Sequence, residues 1–168
     1  MVEISFLKNV PLFKGLPENK LEKIRQIIEF EDCLAEQELI RDGDCGDTMF
    51  ILLEGEVSVS KKLTLLPEEY QSNHRNKVLL KLSAASHAVF GEMALFEENS
   101  ERSATVTTLT TCKVGIIKKN LFLKLTSEDR ELGYFVFKNI SEILSDRLKK
   151  ANKDIVKLTT ALSLALGE

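Results

Sequence analysis

Tryptophan is absent from this 168-residue chain, and proline (three), cysteine (three) and histidine (two) are scarce. Each shortage excludes something. Cys33, Cys45 and Cys112 form no CxxC pair and no cluster with histidine, so a structural zinc or a four-cysteine iron–sulfur centre has no ligands here. Their odd number and wide spacing fit unpaired thiols in a reducing cytoplasm, which is the expected location. His74 and His87 are too few for the converging histidines of a metal-dependent enzyme, and no metal is expected. Positive charge is in deficit as well, with 23 Lys and Arg against 26 Asp and Glu for a net charge of −3. Nucleic acids and anionic membranes are held mainly by basic clusters. The short runs Lys61-Lys62, Lys118-Lys119 and Lys149-Lys150 read as solvated faces. No apolar run reaches the length of a membrane span, and Met1 to Pro11, broken by Glu3 and Lys8, is no signal peptide. Neither a nucleic acid nor a membrane is expected as a partner.

What is present is an ordinary globular composition, 43% hydrophobic and 29% charged, long enough for one domain or one domain with an appended helix. Phe6, Leu7 and Val10 form a short amphipathic piece stopped by Pro11. Pro17 then opens a helix whose buried face takes Leu21, Ile24, Ile27 and Ile28. From Phe30 the texture changes to short strands between glycine turns. Runs at Thr48–Leu53, Val57–Lys61, Val78–Leu82, Ala104–Leu109 and Lys113–Ile117 are expected strands, with Met49, Ile51 and Leu53 alternating. The polar stretch Leu63 to Lys77 reads as a long hairpin loop. Many short strands at close spacing predict an α+β, mainly β, fold: an antiparallel β-roll or jelly-roll barrel with N-terminal helices. Beyond Lys119 a short helical piece, Asn120–Leu125, precedes a long C-terminal helix from about Glu128 to Ala165. Leu144, Leu148, Ala151, Ile155, Leu158, Leu162 and Ala165 recur at spacings of four and three, the seam of a two-stranded coiled coil. A homodimer through this helix is expected. The chain divides into a roll with its N-terminal helices (1–126) and a dimerisation helix (127–168).

The chemistry concentrates between Phe90 and Val106. Gly91 allows a positive φ and a close backbone approach. After it, Glu92-Met93-Ala94-Leu95 can form a helical turn whose free N–H groups face an anion. Arg102 places a permanently charged fork on the same anion, and Ser103 adds a hydroxyl. Glu92 suits sugar hydroxyls better than phosphate, which points to a ligand carrying both a phosphate and a ribose.

Together these residues resemble the phosphate-binding cassette of the cyclic-nucleotide-binding domain family. The Gly91-to-Arg102 spacing and the stretches Leu95-Phe96-Glu97-Glu98 and Glu101-Arg102-Ser103-Ala104 look closest to its bacterial catabolite activator (cyclic AMP receptor) member. The likeness extends to Ile40–Leu52, to Gly55-Glu56-Val57 and to Val10–Leu16, covering about residues 4 to 150. The resemblance implies a cytoplasmic sensor of cyclic AMP or cyclic GMP, a regulator and not an enzyme, that signals through its long helix to a downstream protein. It implies a ligand site made of Phe90, Gly91, Glu92, Met93, Ala94, Arg102, Ser103 and Ala104. Arg102 and the N–H groups near 92–94 would take the cyclic phosphate, Glu92 the ribose 2′-hydroxyl, and Ser103 the phosphate or a guanine edge. Matching Arg147-Leu148 to the corresponding pair of the catabolite activator puts Ala151 and Asn152 beside the base, where Asn152 either offers its amide or faces solvent. A hinge is expected near Leu123–Asp129.

The chain departs from the family's pattern where Ser83–Val89 lacks the usual glycine–acid turn and where Asn99-Ser100 replace a glycine-rich stretch. No recognition helix, basic patch or wing follows the long helix, so no DNA-binding domain is expected. Three rivals stand against the sensor reading. A cupin-type enzyme lacks its histidines and any nucleophile motif. A haem-binding variant finds no supporting pattern around His74, His87 or the cysteines. A degenerate fold serving as a ligand-independent dimerisation or docking module would leave Glu92 and Arg102 buried without purpose, which is costly.

Overall fold

The computed structural model describes residues 2–62, 76–96 and 101–167. Two short helices, α1 (Ile4–Asn9) and α2 (Glu18–Arg25), are joined through a 3-10 turn at Pro11–Phe13. Eight strands follow: β1 (Ile28–Cys33), β2 (Glu38–Ile40), β3 (Thr48–Glu54), β4 (Glu56–Lys62), β5 (Asn76–Ser83), β6 (Val89–Phe90), β7 (Thr105–Thr108) and β8 (Cys112–Lys118). The chain then enters α3 (Lys119–Glu128) and α4 (Arg130–Leu166). Every pairing is antiparallel, in two sheets ordered β1-β8-β3-β6 and β2-β7-β4-β5, the order of an eight-stranded jelly roll. Among the described residues these two sheets are not closed into one barrel.

The first sheet has a core on each side, and β3 shows why its sequence is so apolar. Met49, Ile51 and Leu53 face a helical layer with Leu7, Phe13, Leu21, Phe122 and Leu132. Phe50 and Leu52, on the opposite face, join Val57, Phe90, Val106 and Val114 inside the roll. A strand covered on both faces carries an uninterrupted apolar run.

The structure corrects the sequence reading at three places. Helix α2 ends at Arg25, so Ile27 and Ile28 do not extend its face. Ile28 opens β1 opposite Ile117, because a β-branched residue with a cross-strand partner gains more in the ladder than in a helical turn. The expected loop ends earlier, since Asn76 and Lys77 pair with Lys62 and Lys61 in β5, while residues 63–75 of that loop lie outside the described residues, His74 among them. Finally, the glycine missing before β6 is replaced by His87, which takes the left-handed conformation at φ 50° and packs its ring 4.8 Å from that of Phe6.

Helix α4 begins where the expected hinge window ends. Asp129 caps it, accepting from the Leu132 N–H at 3.2 Å, and the same carboxylate receives Lys20 at 2.6 and 2.8 Å and Lys23 at 2.7 Å. One side chain therefore fixes α2 to the α3–α4 break. Hydrogen bonds from Lys20 and Lys23 hold the Asp129 carboxyl well below the usual carboxylate range. A depressed folded-state pKa contributes stability that is complete above the unfolded value, about 4, and fades as pH falls below it. In thermal melts, Asp129→Asn should melt below wild type at pH 7, and the gap should narrow steadily as pH falls below about 4.

Leu132, Val136 and Ile140 carry the start of α4 onto the helical layer, and Asn139 donates to the Leu12 and Lys14 carbonyls at 3.0 and 2.9 Å. Beyond that the helix leaves the roll. From Leu144 to Gly167 every residue but Ser163 is exposed, including Leu148, Ile155, Leu158 and Leu162. Among the described residues no helix is long and apolar enough to cross a membrane.

Candidate functional site

The turn that follows β6 starts at Gly91, whose φ of 74° is the left-handed value glycine adopts without strain. A Cβ there would also lie 2.9 Å from Arg102 Nη1, 3.0 Å from Ile40 Cδ1 and 3.2 Å from the Thr48 carbonyl oxygen. Glu92–Leu95 then form one 3-10 turn. Its inner residues, Ala94 and Leu95, are buried and anchor it, while Met93 points out. The leading N–H groups of such a turn have no partner within it. That of Ala94 differs from expectation, since it donates back to the Gly91 carbonyl at 3.3 Å.

Arg102 arrives from the other side, held by its main chain. Its N–H donates to the Asp44 carbonyl and its carbonyl accepts from the Gly43 N–H, each at 2.8 Å. The glycine turn after β2 thus aims the arginine. Its side chain is nine-tenths buried. Nη1 donates to the carbonyls of Thr48 (2.8 Å) and Gly91 (3.2 Å), and Nη2 donates to Thr48 Oγ1 (2.9 Å). Gly46 lies against the same fork: a Cβ there would stand 2.2 Å from Nε, so only a bare backbone fits. All described acceptors are neutral. Burial pushes the guanidinium pKa down, and among the described residues the field of Asp47 opposes it. A guanidinium has five N–H donors, and Nε and the second hydrogen of Nη2 find no acceptor among the described residues. This is a desolvated cation with donors to spare, the electrostatic requirement of an anion site.

Glu92 is buried too, but it is neutralised. Its Oε1 accepts from Nη1 of Arg147 on α4, and Arg147 Nη2 also donates to the Val89 carbonyl at 3.3 Å. The guanidinium thus meets neutral acceptors among the described residues, while the carboxylate already has an internal cationic partner. A cavity of about 20 Å³, roughly room for one water, lies between Leu12, Val89, Glu92, Ile140, Ile143, Leu144 and Arg147.

The remaining candidates divide. Ser103 is exposed and its hydroxyl lies 4.0 Å from Met93 Sδ across the mouth of the cassette, while its carbonyl accepts from Lys61 Nζ at 2.9 Å. Ala104 is half-buried beside it. Phe90 is inside the roll, stacked on Phe50 at 5.2 Å, and supports the turn from beneath. Asn152 is not brought to the group: it is exposed on α4, about 7 Å along the axis beyond Arg147. Glu97 to Ser100, which complete the cassette, are outside the described residues. Among the described residues no three His, Cys, Asp or Glu are grouped to hold a metal ion.

The geometry of Gly91 yields a direct expectation. With Gly91→Ala the free chain relieves its strain by relaxing φ, and ligand binding must reimpose it, at about 1–2 kcal/mol. Calorimetry should show cyclic-nucleotide affinity falling about tenfold, with the melting transition retained.

Comparison with known proteins places this fold in a family. Residues 31–129 match the family model of the cyclic nucleotide-binding domain. A cGMP-dependent protein kinase, isozyme 1, of Drosophila melanogaster is 37% identical over 63% of this chain, which spans 13% of that kinase. Among solved structures, the catabolite activator protein of Thermus thermophilus superposes with a TM-score of 0.74 at 21% identity, over 89% of this chain and 63% of that one. The regulatory domain of Toxoplasma gondii PKA, crystallised with cAMP, gives 0.65 at 26% identity, over 83% of this chain and 48% of that one. The family is a regulatory one, built to bind and not to catalyse. This chain belongs to the cyclic nucleotide-binding domain family.

Proposed function

We propose that the chain is a cytoplasmic sensor of cyclic AMP or cyclic GMP that acts by moving α4 and has no catalytic activity of its own. The observation that carries this reading is Arg102, a buried guanidinium whose charge meets only neutral acceptors among the described residues. A cyclic phosphate is a monoanion that would take the unused Nε and Nη2 donors. The leading N–H groups of the Glu92–Leu95 turn and the Ser103 hydroxyl border the same mouth. Relatives that match include a cGMP-dependent kinase and a PKA regulatory domain seen with cAMP, which supports the ligand class and leaves both bases in play.

Glu92 supplies the coupling. The ribose 2′-hydroxyl and Arg147 compete for one carboxylate, so ligand binding loosens the hold of the cassette on α4. Ligand entering between cassette and helix would part the Glu92–Arg147 pair for the same reason. Ligand shifts the position of α4 by its difference in affinity for the closed and open arrangements. The break at Asp129 is the hinge, and whatever downstream protein touches α4 reads the result. We assign the exposed stripe Leu144, Leu148, Ile155, Leu158 and Leu162 to a homodimer seam, with 1–126 as the sensing unit and 127–168 as the output helix. Asn152, at an exposed position near this seam, is the proposed contact to the base.

One fact favours a second reading, a docking module that needs no ligand: Glu92 already has an internal partner. That reading leaves Arg102 unexplained. Calorimetric titration of the intact chain with cyclic AMP and with cyclic GMP separates the two. The sensor predicts saturable binding of at least one nucleotide at one site per chain, and absence of heat and of any melting shift with both would leave the docking module.

A further inference from the structure

The nucleotide site makes no use of the cysteines, and two of them face each other across a strand pair. Cys33 closes β1 and Cys112 opens β8, and the register of these antiparallel strands sets them directly opposite each other. Opposed residues send their side chains to one face of the sheet, with Cα atoms about 4.5 or 5.5 Å apart. A disulfide spans Cα separations of roughly 4.4–6.8 Å. Both thiols are free and buried, and both belong to the cluster inside the roll with Ile40, Leu52, Val57 and Val114. Cys112 Sγ lies 3.3 Å from the carbonyls of Glu56 and Thr110. The thiol of Cys33 is pushed up mainly by burial, with Glu31 and Cys112 itself adding to it.

We infer that Cys33 and Cys112 form an oxidation site, a dithiol that closes to an intramolecular disulfide. A peroxide is the oxidant. One thiolate attacks a peroxide oxygen, giving a sulfenic acid and releasing water from hydrogen peroxide. The second thiol displaces the sulfenic oxygen as water and the S–S bond forms. In total two thiols lose two electrons and two protons, and one hydrogen peroxide becomes two waters. Access comes from the strand ends. Cys33 is the last residue of β1 and its neighbour Leu34 is 74% exposed, so opening one rung exposes the pair without global unfolding. The bridge encloses about eighty residues, among them the Arg41–Asp47 turn and the whole cassette. Cross-linking a loop of this length raises the melting temperature by roughly 10 °C for a chain of this size.

The test uses the intact chain carrying Cys45→Ser, which removes the exposed thiol. Hydrogen peroxide should consume both remaining thiols together, give a Cys33–Cys112 linked peptide on digestion without reductant, and raise the melting temperature by roughly 10 °C, reversed by dithiothreitol. Adding Cys33→Ser should leave no linked peptide and no shift. Two thiols still titratable after prolonged oxidation, in protein whose exposed Cys45 oxidises readily when present, would overturn the inference. So would a wild-type bridge that engages Cys45 in place of either partner. Neither result bears on the nucleotide reading, which rests on other residues.

Discussion

Arg102→Ala should lower the affinity for cyclic AMP or cyclic GMP by about two to four decades, a loss of roughly 3–5 kcal/mol, with the fold intact. The size follows from what remains after truncation. The cyclic phosphate keeps its charge but would lie in a pocket whose other donors, among the described residues, are main-chain N–H groups and the Ser103 hydroxyl. A buried anion without its counter-charge carries a desolvation penalty that such groups offset only in part. Stability should move the other way or hardly at all. In the free protein the Arg102 guanidinium is desolvated and faces neutral acceptors, so removing it relieves strain of charge as well as losing three hydrogen bonds. Calorimetry for binding and a thermal melt for stability read the two effects separately. A variant that binds poorly because it is unfolded would fail the melt.

Leu148→Asp and Ile155→Asp should each weaken the proposed dimer by at least about two decades. Both positions lie on the stripe that α4 exposes after it leaves the roll, with Leu148 62% and Ile155 59% accessible in the single chain. A 37-residue helix is about 55 Å long, far beyond the reach of the helical layer that covers Leu132, Val136 and Ile140. Exposed apolar residues at spacings of four and three, continued over three turns and more, need a second helix to bury them. A carboxylate at either position would lose the leucine or isoleucine contact and bury a charge on both chains at once. Light scattering across a range of concentrations should show wild type as a dimer and the variants shifting to monomer. A wild type that stays monomeric throughout would remove the seam.

How much of this was legible beforehand depended on sequence distance. Gly91, Glu92, Arg102 and Ser103 lie within thirteen residues of one another, and their chemistry could be read together from glycine conformation, a carboxylate and a guanidinium. The alternation of β3 and the four-and-three rhythm of α4 were legible for the same reason, because a local period reports a local element. What escaped was set by distant packing. Arg147 meets Glu92 across 55 positions, and no spacing rule joins them. Gly46 and Thr48 shape the Arg102 fork, yet in the sequence they read as a turn and a strand start. Strand β1 buries only its two ends, Ile28 and Cys33, around an acidic exposed middle, so it offered no alternation, and β6 is two residues long. Ile27 and Ile28 matched a helical face and lost to strand pairing with β8, a choice only the tertiary fold decides.

The buried guanidinium of Arg102, whose hydrogen-bond acceptors among the described residues are all neutral, is proposed to hold a cyclic phosphate, and a crystal structure of the chain grown in saturating cyclic nucleotide tests this most directly. The account predicts phosphate oxygens on Nε and Nη2 of Arg102, the ribose hydroxyl on Glu92, and Arg147 displaced with α4 turned about Asp129. Nucleotide bound elsewhere, or Arg102 still tucked against Gly46 with Glu92 still paired to Arg147, would contradict it.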